Sequence, residues 1–251
     1  KGENLQIHAK RTILATGGLG GLFKSTTNFP SLTGDGIAIA LKNGITIKDI
    51  NYLQLHPTVL YEKDSIGKRL LLSESLRGEG GKIRNLKGAE FVDSLKPRDV
   101  VSRAILKQIA KTPETPYVYL DMTHLKKDFL MKRFPYLYDE CLKRGYAMEK
   151  DMLPVSPAHH YAMGGIKVNL YGETSLKDLY ALGETACTGV HGSNRLASNS
   201  LIEGIVFGYR CAHKINDELF NCNAESPSRE ALIEFLKERV DENYVKLLNC
   251  W

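Results

Sequence analysis

His191-Gly-Ser-Asn-Arg-Leu-Ala-Ser-Asn-Ser200, followed without a break by Leu201-Ile-Glu-Gly-Ile-Val-Phe-Gly208, sets one arginine and a run of small hydrogen-bonding residues directly before an apolar helix. A helix start leaves backbone N–H groups unpaired and carries the positive end of the dipole, while Arg195 adds a planar fork of donors suited to a carboxylate. The bland alternative is a helix start with good capping residues. Any six of these residues alone favour that reading; the eighteen together do not.

Working outward, a helix is predicted over Ser200–Ile215, then a polar linker over Asn221–Ser228 and an amphipathic helix over Arg229–Leu248. Upstream, Asp178–Gly183 reads as a strand, and His159–Val168 passes from a turn into a strand. Near the start, Arg11–Gly18 is a short buried strand entering a glycine turn, and Ile37–Lys42 is a helix stopped by Asn43-Gly44. Lys48–Leu53 is a strand, and from Gln54 loops dominate. Pro97-Arg-Asp opens a helix with Val100, Val101, Ala104, Ile105 and Ile109 on its apolar stripe. Tyr117–Asp121 is a strand, and Phe129–Gly145 is helical with an interruption near Pro135. The layout is two flanks of one α/β domain around an insert between roughly Tyr52 and His160.

A chain of 251 residues with 43% hydrophobic and 25% charged residues has material for a sizeable core. Its net charge of +5 suits an anionic small molecule, but the basic residues are scattered and form no block pointing to nucleic acid. No apolar run reaches the ~18 residues of a membrane span, so no membrane partner is expected. Five irregularly spaced cysteines without a Cys-x-x-Cys pair argue against zinc or a disulfide framework, and a reducing cytoplasm is the expected compartment. The chain opens without Met, directly in strand material, and reads as a piece of something longer.

Four further stretches carry chemistry. In Gln54-Leu-His-Pro-Thr58 the imidazole of His56, held stiffly before a proline, offers a donor to a carboxylate or oxyanion. Alone, the motif fits a surface histidine as well. Ser73-Glu-Ser-Leu-Arg-Gly-Glu-Gly-Gly81 has glycines that let backbone approach a ligand, with Ser73 and Glu74 as hydrogen-bonding groups and Arg77 as a charge. The plain alternative is a glycine-rich turn with Glu74 and Arg77 as a surface pair of little consequence. Arg98 and Asp99, after Pro97, also make an ordinary helix start. His159 and His160 are adjacent, so in an extended segment they face opposite sides and make a poor metal site; no metal is expected.

Together these stretches resemble the succinate dehydrogenase/fumarate reductase flavoprotein family, and Ala197, Ser198 and Glu203 are similar to its aspartate-oxidising branch. The resemblance covers most of the chain and implies an α/β and α+β fold. Residues 1–51 would be the late part of an FAD-binding domain and 52–160 an inserted capping domain carrying substrate contacts. Residues 161–220 would be the return segment and 221–251 the start of a helical C-terminal domain. It implies FAD as cofactor, contacted by Asp35, Glu184, Ser200 and Leu201. Arg195, His56 and His160 would clamp two carboxylates, with Gln54, Ser73, Glu74, Arg77 and Ser198 around them. Arg98 would shuttle a proton, and Arg77 would orient its loop. His159 would be a bystander, and Arg103 would pair with an acidic neighbour.

The implied reaction is oxidation of L-aspartate to iminoaspartate, opening quinolinate and NAD biosynthesis, with the Cα hydride passing to flavin and electrons on to oxygen or fumarate. Quinolinate synthase is the implied downstream partner. The alternatives are a succinate dehydrogenase or fumarate reductase flavoprotein subunit, or a non-catalytic fragment. Gly18-Leu-Gly-Gly-Leu-Phe23 does not fit the G-x-G-x-x-G turn that receives a pyrophosphate, because Phe23 takes the third glycine position. The nucleotide-binding part is therefore expected outside these residues, and the chain alone is expected to be inactive.

Overall fold

A computed structural model describes residues 6–63 and 65–220; the expected linker and amphipathic helix after Asn221 lie outside the described residues. In chain order the elements are β1 (Thr12–Leu14), β2 (Ser25–Thr26), α1 (Asp35–Lys42), β3 (Ile47–Lys48), β4 (Leu53–Leu60) and β5 (Gly67–Lys68). Next come α2 (Glu74–Gly78), β6 (Lys82–Arg84), α3 (Arg98–Ile109), β7 (Val118–Asp121), α4 (Lys127–Arg133) and α5 (Pro135–Lys143). The chain then forms β8 (Leu153–Ala162), β9 (Gly165–Lys167), β10 (Leu179–Ala181), β11 (Ala186–Cys187) and α6 (Asn199–Phe220). Pro135 separates α4 from α5 by opening the second as its first residue, where a missing N–H costs nothing.

Two groups of buried side chains form. One gathers α1, Ile45, Ile166, Ala181 and Ala186 around β1 and β10, which pair in parallel, and the β11-β9-β3 sheet. The other draws Leu60, Leu76, Ile83, Val101, Ile105, Leu120, Leu130 and Val155 from the middle of the chain into one apolar cluster. The six-stranded sheet contributes Leu60, Ile83, Leu120 and Val155 to this second cluster, and its strand β8 pairs with β2, β4 and β7. The expected boundary at residue 160 thus falls inside a strand, which runs on to Ala162.

The stretch from Gln54 is a strand, not a loop. Pro57 obscures it in sequence, because a proline cannot donate to a ladder. The structure accommodates it by a bulge: His56 faces Ala158 and Val59 faces Ser156, so Pro57 and Thr58 together oppose Pro157. A second irregularity lies on the partner strand. Leu55 faces His159 and Gln54 faces Tyr161, leaving His160 as the extra residue of β8.

The glycines of Met163-Gly-Gly165 are explained by approach of backbone. A Cβ on Gly164 would sit 1.9 Å from the Asp49 carbonyl oxygen, in the turn where Asp49 itself has a φ of 51°. Gly164→Ala should therefore force the β3–β4 turn off the end of β8, at a cost of ~3 kcal/mol or more. Thermal unfolding checks this, and a midpoint equal to that of the parent would show that the two segments do not need this approach.

Candidate active site

Arg98 is the first residue of α3, and its side chain turns inward and is buried. Nε donates to Glu74 Oε2 at 2.9 Å, Nη2 lies in ion-pair contact with the same oxygen at 2.9 Å, and Nη1 donates to Gln54 Oε1 at 3.0 Å. The other oxygen of Glu74 accepts from Arg77 Nη2 at 2.9 Å. Arg77 is only 1% exposed and also donates to the carbonyls of Ser94 and Lys96. The surface-pair alternative for Glu74 and Arg77 is thus wrong for Arg77, whose guanidinium is buried against the Ser94 and Lys96 carbonyls. The glycines after it serve packing, since a Cβ on Gly81 would meet Met122 Sδ at 2.6 Å and the Leu76 carbonyl at 2.8 Å.

Gln54 is the joint of the site. Its Nε2 donates to the Arg195 carbonyl at 2.6 Å and to Asn194 Oδ1 at 3.2 Å, while Asn194 Nδ2 donates to Asp99 Oδ1 at 2.8 Å. The Arg195 guanidinium lies over the Tyr161 ring, 4.3 Å from its centroid, and donates to Ser200 Oγ at 3.2 Å. Its Nε is buried without a partner among the described residues. Below it, Glu203 accepts from Tyr161 Oη at 3.3 Å, from Thr188 Oγ1, and lies 2.8 Å from His191 Nε2. Sequence reasoning missed Tyr161, Asn194, Thr188 and Thr27. Only the first two had a signal, as direct neighbours of His160 and Arg195.

His56 and His160 meet edge to face with ring centroids 5.1 Å apart. Burial, then His160, Arg98 and Arg77, hold the His56 imidazole well below the ordinary histidine range. Burial, then Arg98 and Arg195, lower His160 to about 3. Both rings are therefore neutral donors in a field of guanidinium groups. Burial and Arg98 also lower Arg195, and burial chiefly lowers Arg77. His159 points the other way, stacked on Phe23 with centroids 4.2 Å apart and Nδ1 3.1 Å from Asn28 Oδ1. It stands apart from the arginine cluster.

The remaining expected residues have no hydrogen bond to the arginine and histidine side chains of this cluster. Ser73 caps α2 by accepting from Ser75 N at 3.3 Å. Ser198 is exposed, with φ of 66°, just before α6. Asp35 opens α1 and accepts from Thr33 Oγ1 at 2.8 Å. Arg103 and Asp99 form an exposed pair at 3.8 Å. Glu184 is the informative one. It follows β10, accepts from Ala162 N at 2.8 Å, and is pushed upward by burial. A Cβ on Gly18, after β1, would lie 2.4 Å from the Glu184 carboxyl group. The C-terminal ends of two parallel strands thus form a cradle that only glycine leaves open, where α/β sheets hold their ligands. Glu184 at this cradle and Asp35 at a helix start are carboxylate acceptors, and Ser200 near another helix start carries a hydroxyl, a chemistry that fits the hydroxyls of a flavin nucleotide. Among the described residues no group of three or more metal-ligating side chains occurs, and no helix is long and apolar enough to cross a membrane.

Residues 1–201 match the family model described as FAD binding domain. The L-aspartate oxidase of Clostridium perfringens is 53% identical over 91% of this chain and 52% of its own length. That of Clostridium acetobutylicum is 55% identical over 85% of this chain and 49% of its own. The chain therefore spans about half the length of these curated relatives. Among solved structures, an E. coli quinol fumarate reductase FrdA mutant superposes with a TM-score of 0.76 at 33% identity, covering 91% of this chain and 43% of that one.

The buried histidines set an acid limit on stability. His159, lowered to about 4 by burial, and His160, lowered to about 3, stay unprotonated in the folded chain while the unfolded chain takes up protons below ~6.5. Their contribution is whole above pH ~6.5 and is lost progressively as pH falls toward these lowered values. The thermal midpoint should drop between pH 7 and 4.5, and His159→Phe, which keeps an aromatic ring against Phe23, should flatten that slope. An unchanged slope in the variant would remove His159 from the account.

Proposed function

The chain belongs to the family of FAD-binding domains, and from that premise we propose that it is the substrate-binding portion of an FAD-dependent L-aspartate oxidase. One observation carries the reading. Three guanidinium groups are buried here: Arg77 and Arg98 share one carboxylate, Glu74, Arg195 has no salt bridge among the described residues, and the two neutral imidazoles of His56 and His160 meet edge to face. Such a site is short of negative charge, and a dicarboxylate supplies it. The names of the curated relatives, at 53% and 55% identity against 33% for the fumarate reductase, favour L-aspartate over succinate as the substrate. The product would be iminoaspartate, the precursor of quinolinate, which quinolinate synthase would take up downstream.

Asp35, Glu184, Ser200 and Leu201 would hold the cofactor at the cradle of Gly18 and Glu184. When bound, FAD supplies a two-electron acceptor for the hydride leaving Cα, and oxygen or fumarate takes those electrons on. The protein's part is positioning. Arg195 takes one carboxylate by paired donors, and His56 and His160 take the other as neutral donors that add no competing charge. Held at both ends, the substrate has one face of Cα presented, which removes much of the entropic cost of reaching a reactive geometry. Arg98 would handle the proton, with Glu74 and Arg77 behind it as a continuous hydrogen-bonded run. The separate apolar cluster around Leu76, Val101 and Leu120 supports assigning residues 52–160 to a capping domain.

In the full-length parent, Arg195→Leu should raise KM for L-aspartate and fumarate strongly, on the order of 2–5 kcal/mol in binding, because a charge-assisted pair is lost. Arg98→Leu and Arg98→Lys should lower kcat by a factor of ~100 or more with less effect on KM, since the loss falls on the transition state. Steady-state assays with both substrates check this. Near-parental kcat in Arg98→Leu would return that residue to a plain helix start, and a parent that oxidises succinate but not L-aspartate would move the reading to the alternative.

These 251 residues hold no G-x-G-x-x-G turn, so the pyrophosphate cradle would lie outside them. Produced alone, the chain should lose added FAD on desalting. A visible spectrum with near-stoichiometric flavin would contradict this.

A further inference from the structure

Two hydrogen bonds behind the imidazoles decide which of their nitrogens carries a proton. Thr58 N–H donates to His56 Nδ1 at 3.3 Å, and Nδ1 of a neutral ring that accepts leaves the proton on Nε2. His160 Nδ1 lies 2.8 Å from Thr27 Oγ1, a contact open to either direction on its own. The surrounding bonds decide it. The other acceptor within reach of the Thr27 hydroxyl is the His159 carbonyl at 3.4 Å, and that oxygen already accepts Thr27 N–H at 2.9 Å and has Thr26 Oγ1 at 3.3 Å. The hydroxyl proton is therefore best spent on His160 Nδ1. The hydrogen bonds of both rings among the described residues are on Nδ1, and none reaches Nε2 of His56 or His160.

We propose that Thr27 is a positioning residue that fixes His160 as its Nε2–H tautomer, so that a neutral ring presents a donor to the substrate carboxylate. The proposal rests on the dicarboxylate reading above. Thr27 does not touch substrate. It acts through His160, and does so from β2's end, a segment that pairs with β8 through Thr26 and His159. Because burial and the arginines keep His160 uncharged, the ring has one N–H to give. In the opposite tautomer Nε2 would present a lone pair to a carboxylate, and attraction would become repulsion. The two histidines are then a matched pair, one set by a backbone amide and the other by a hydroxyl.

The test compares Thr27→Val, which keeps the shape and loses the hydroxyl, with Thr27→Ser, which keeps the hydroxyl, in the full-length flavoprotein. Imidazole 15N shifts, with His160 assigned by its loss in His160→Asn, read the tautomer without turnover. Steady-state kinetics with L-aspartate and fumarate read its effect. Thr27→Val should move the His160 proton to Nδ1 and raise KM by ~10-fold with kcat changed by less than ~3-fold, as expected for one lost hydrogen bond to a charged group. Thr27→Ser should match the parent in both. A parent whose His160 already carries its proton on Nδ1 overturns the proposal, as does a Thr27→Val variant that changes KM without changing the tautomer, or the tautomer without KM. A parent that shows the Nε2–H form but turns over neither dicarboxylate sinks the functional reading instead, and the two failures are told apart by the nitrogen spectrum.

Discussion

Everything in the candidate site hangs on the pairing of β4 with β8, two antiparallel strands whose ladder is interrupted twice. A regular ladder alternates side chains between faces, so two neighbouring residues never serve one pocket. Here the extra residue at His160 and the two-against-one step at Pro57 and Thr58 re-aim side chains locally. His56 and His160 thereby come edge to face, although regular pairing places His56 against Ala158. Gln54, on the same strand, is left to bond both Arg98 and the backbone of Arg195. The distortion costs ladder hydrogen bonds, and the flanking apolar clusters supply the stability that permits it.

Charge is arranged around that ladder so that order precedes binding. Arg77 and Arg98 are tied to Glu74, and Arg195 is held over Tyr161 above a carboxylate that is itself occupied by three neighbours. None of the three guanidinium groups has to be rebuilt when an anion arrives. Buried arginines of this kind cost desolvation energy unless they are paired, and the pairing among the described residues is incomplete at Arg77 Nε and Arg195 Nε. That residual demand is the physical basis of the proposed preference for an anion with two separated carboxylates.

The strands and helices with a clear period were legible from sequence: α1, α3, β7 and α6 fall close to where their apolar spacing put them. The arginine and histidine motifs were picked out by the family resemblance, since on residue type alone His56 also fits a surface histidine and Arg98 a plain helix start. As a strand, Gln54–Leu60 was not legible, since Pro57 reads as a breaker and its tolerance depends on a bulge that no local signal announces. For Arg77 the surface-pair alternative stayed open, because sequence does not show that its guanidinium reaches the carbonyls of Ser94 and Lys96. Thr27 had no signal at all. Its importance comes from strand pairing across more than a hundred residues, which spacing within the chain does not encode.

The bulge at His160 also constrains how such a chain can change over time. Substitutions along β8 alter one side chain each and leave the rest facing as before. Loss of one residue between Leu153 and His159 is different in kind, because it would absorb the bulge and restore an even alternation. The ring now set against Phe23 and the ring now set against His56 would trade environments in a single step. Length in this strand therefore acts as a reading frame for its side chains. Lineages descending from a protein with this site should accumulate replacements in β8 freely at exposed positions, while gaps collect in the connections on either side.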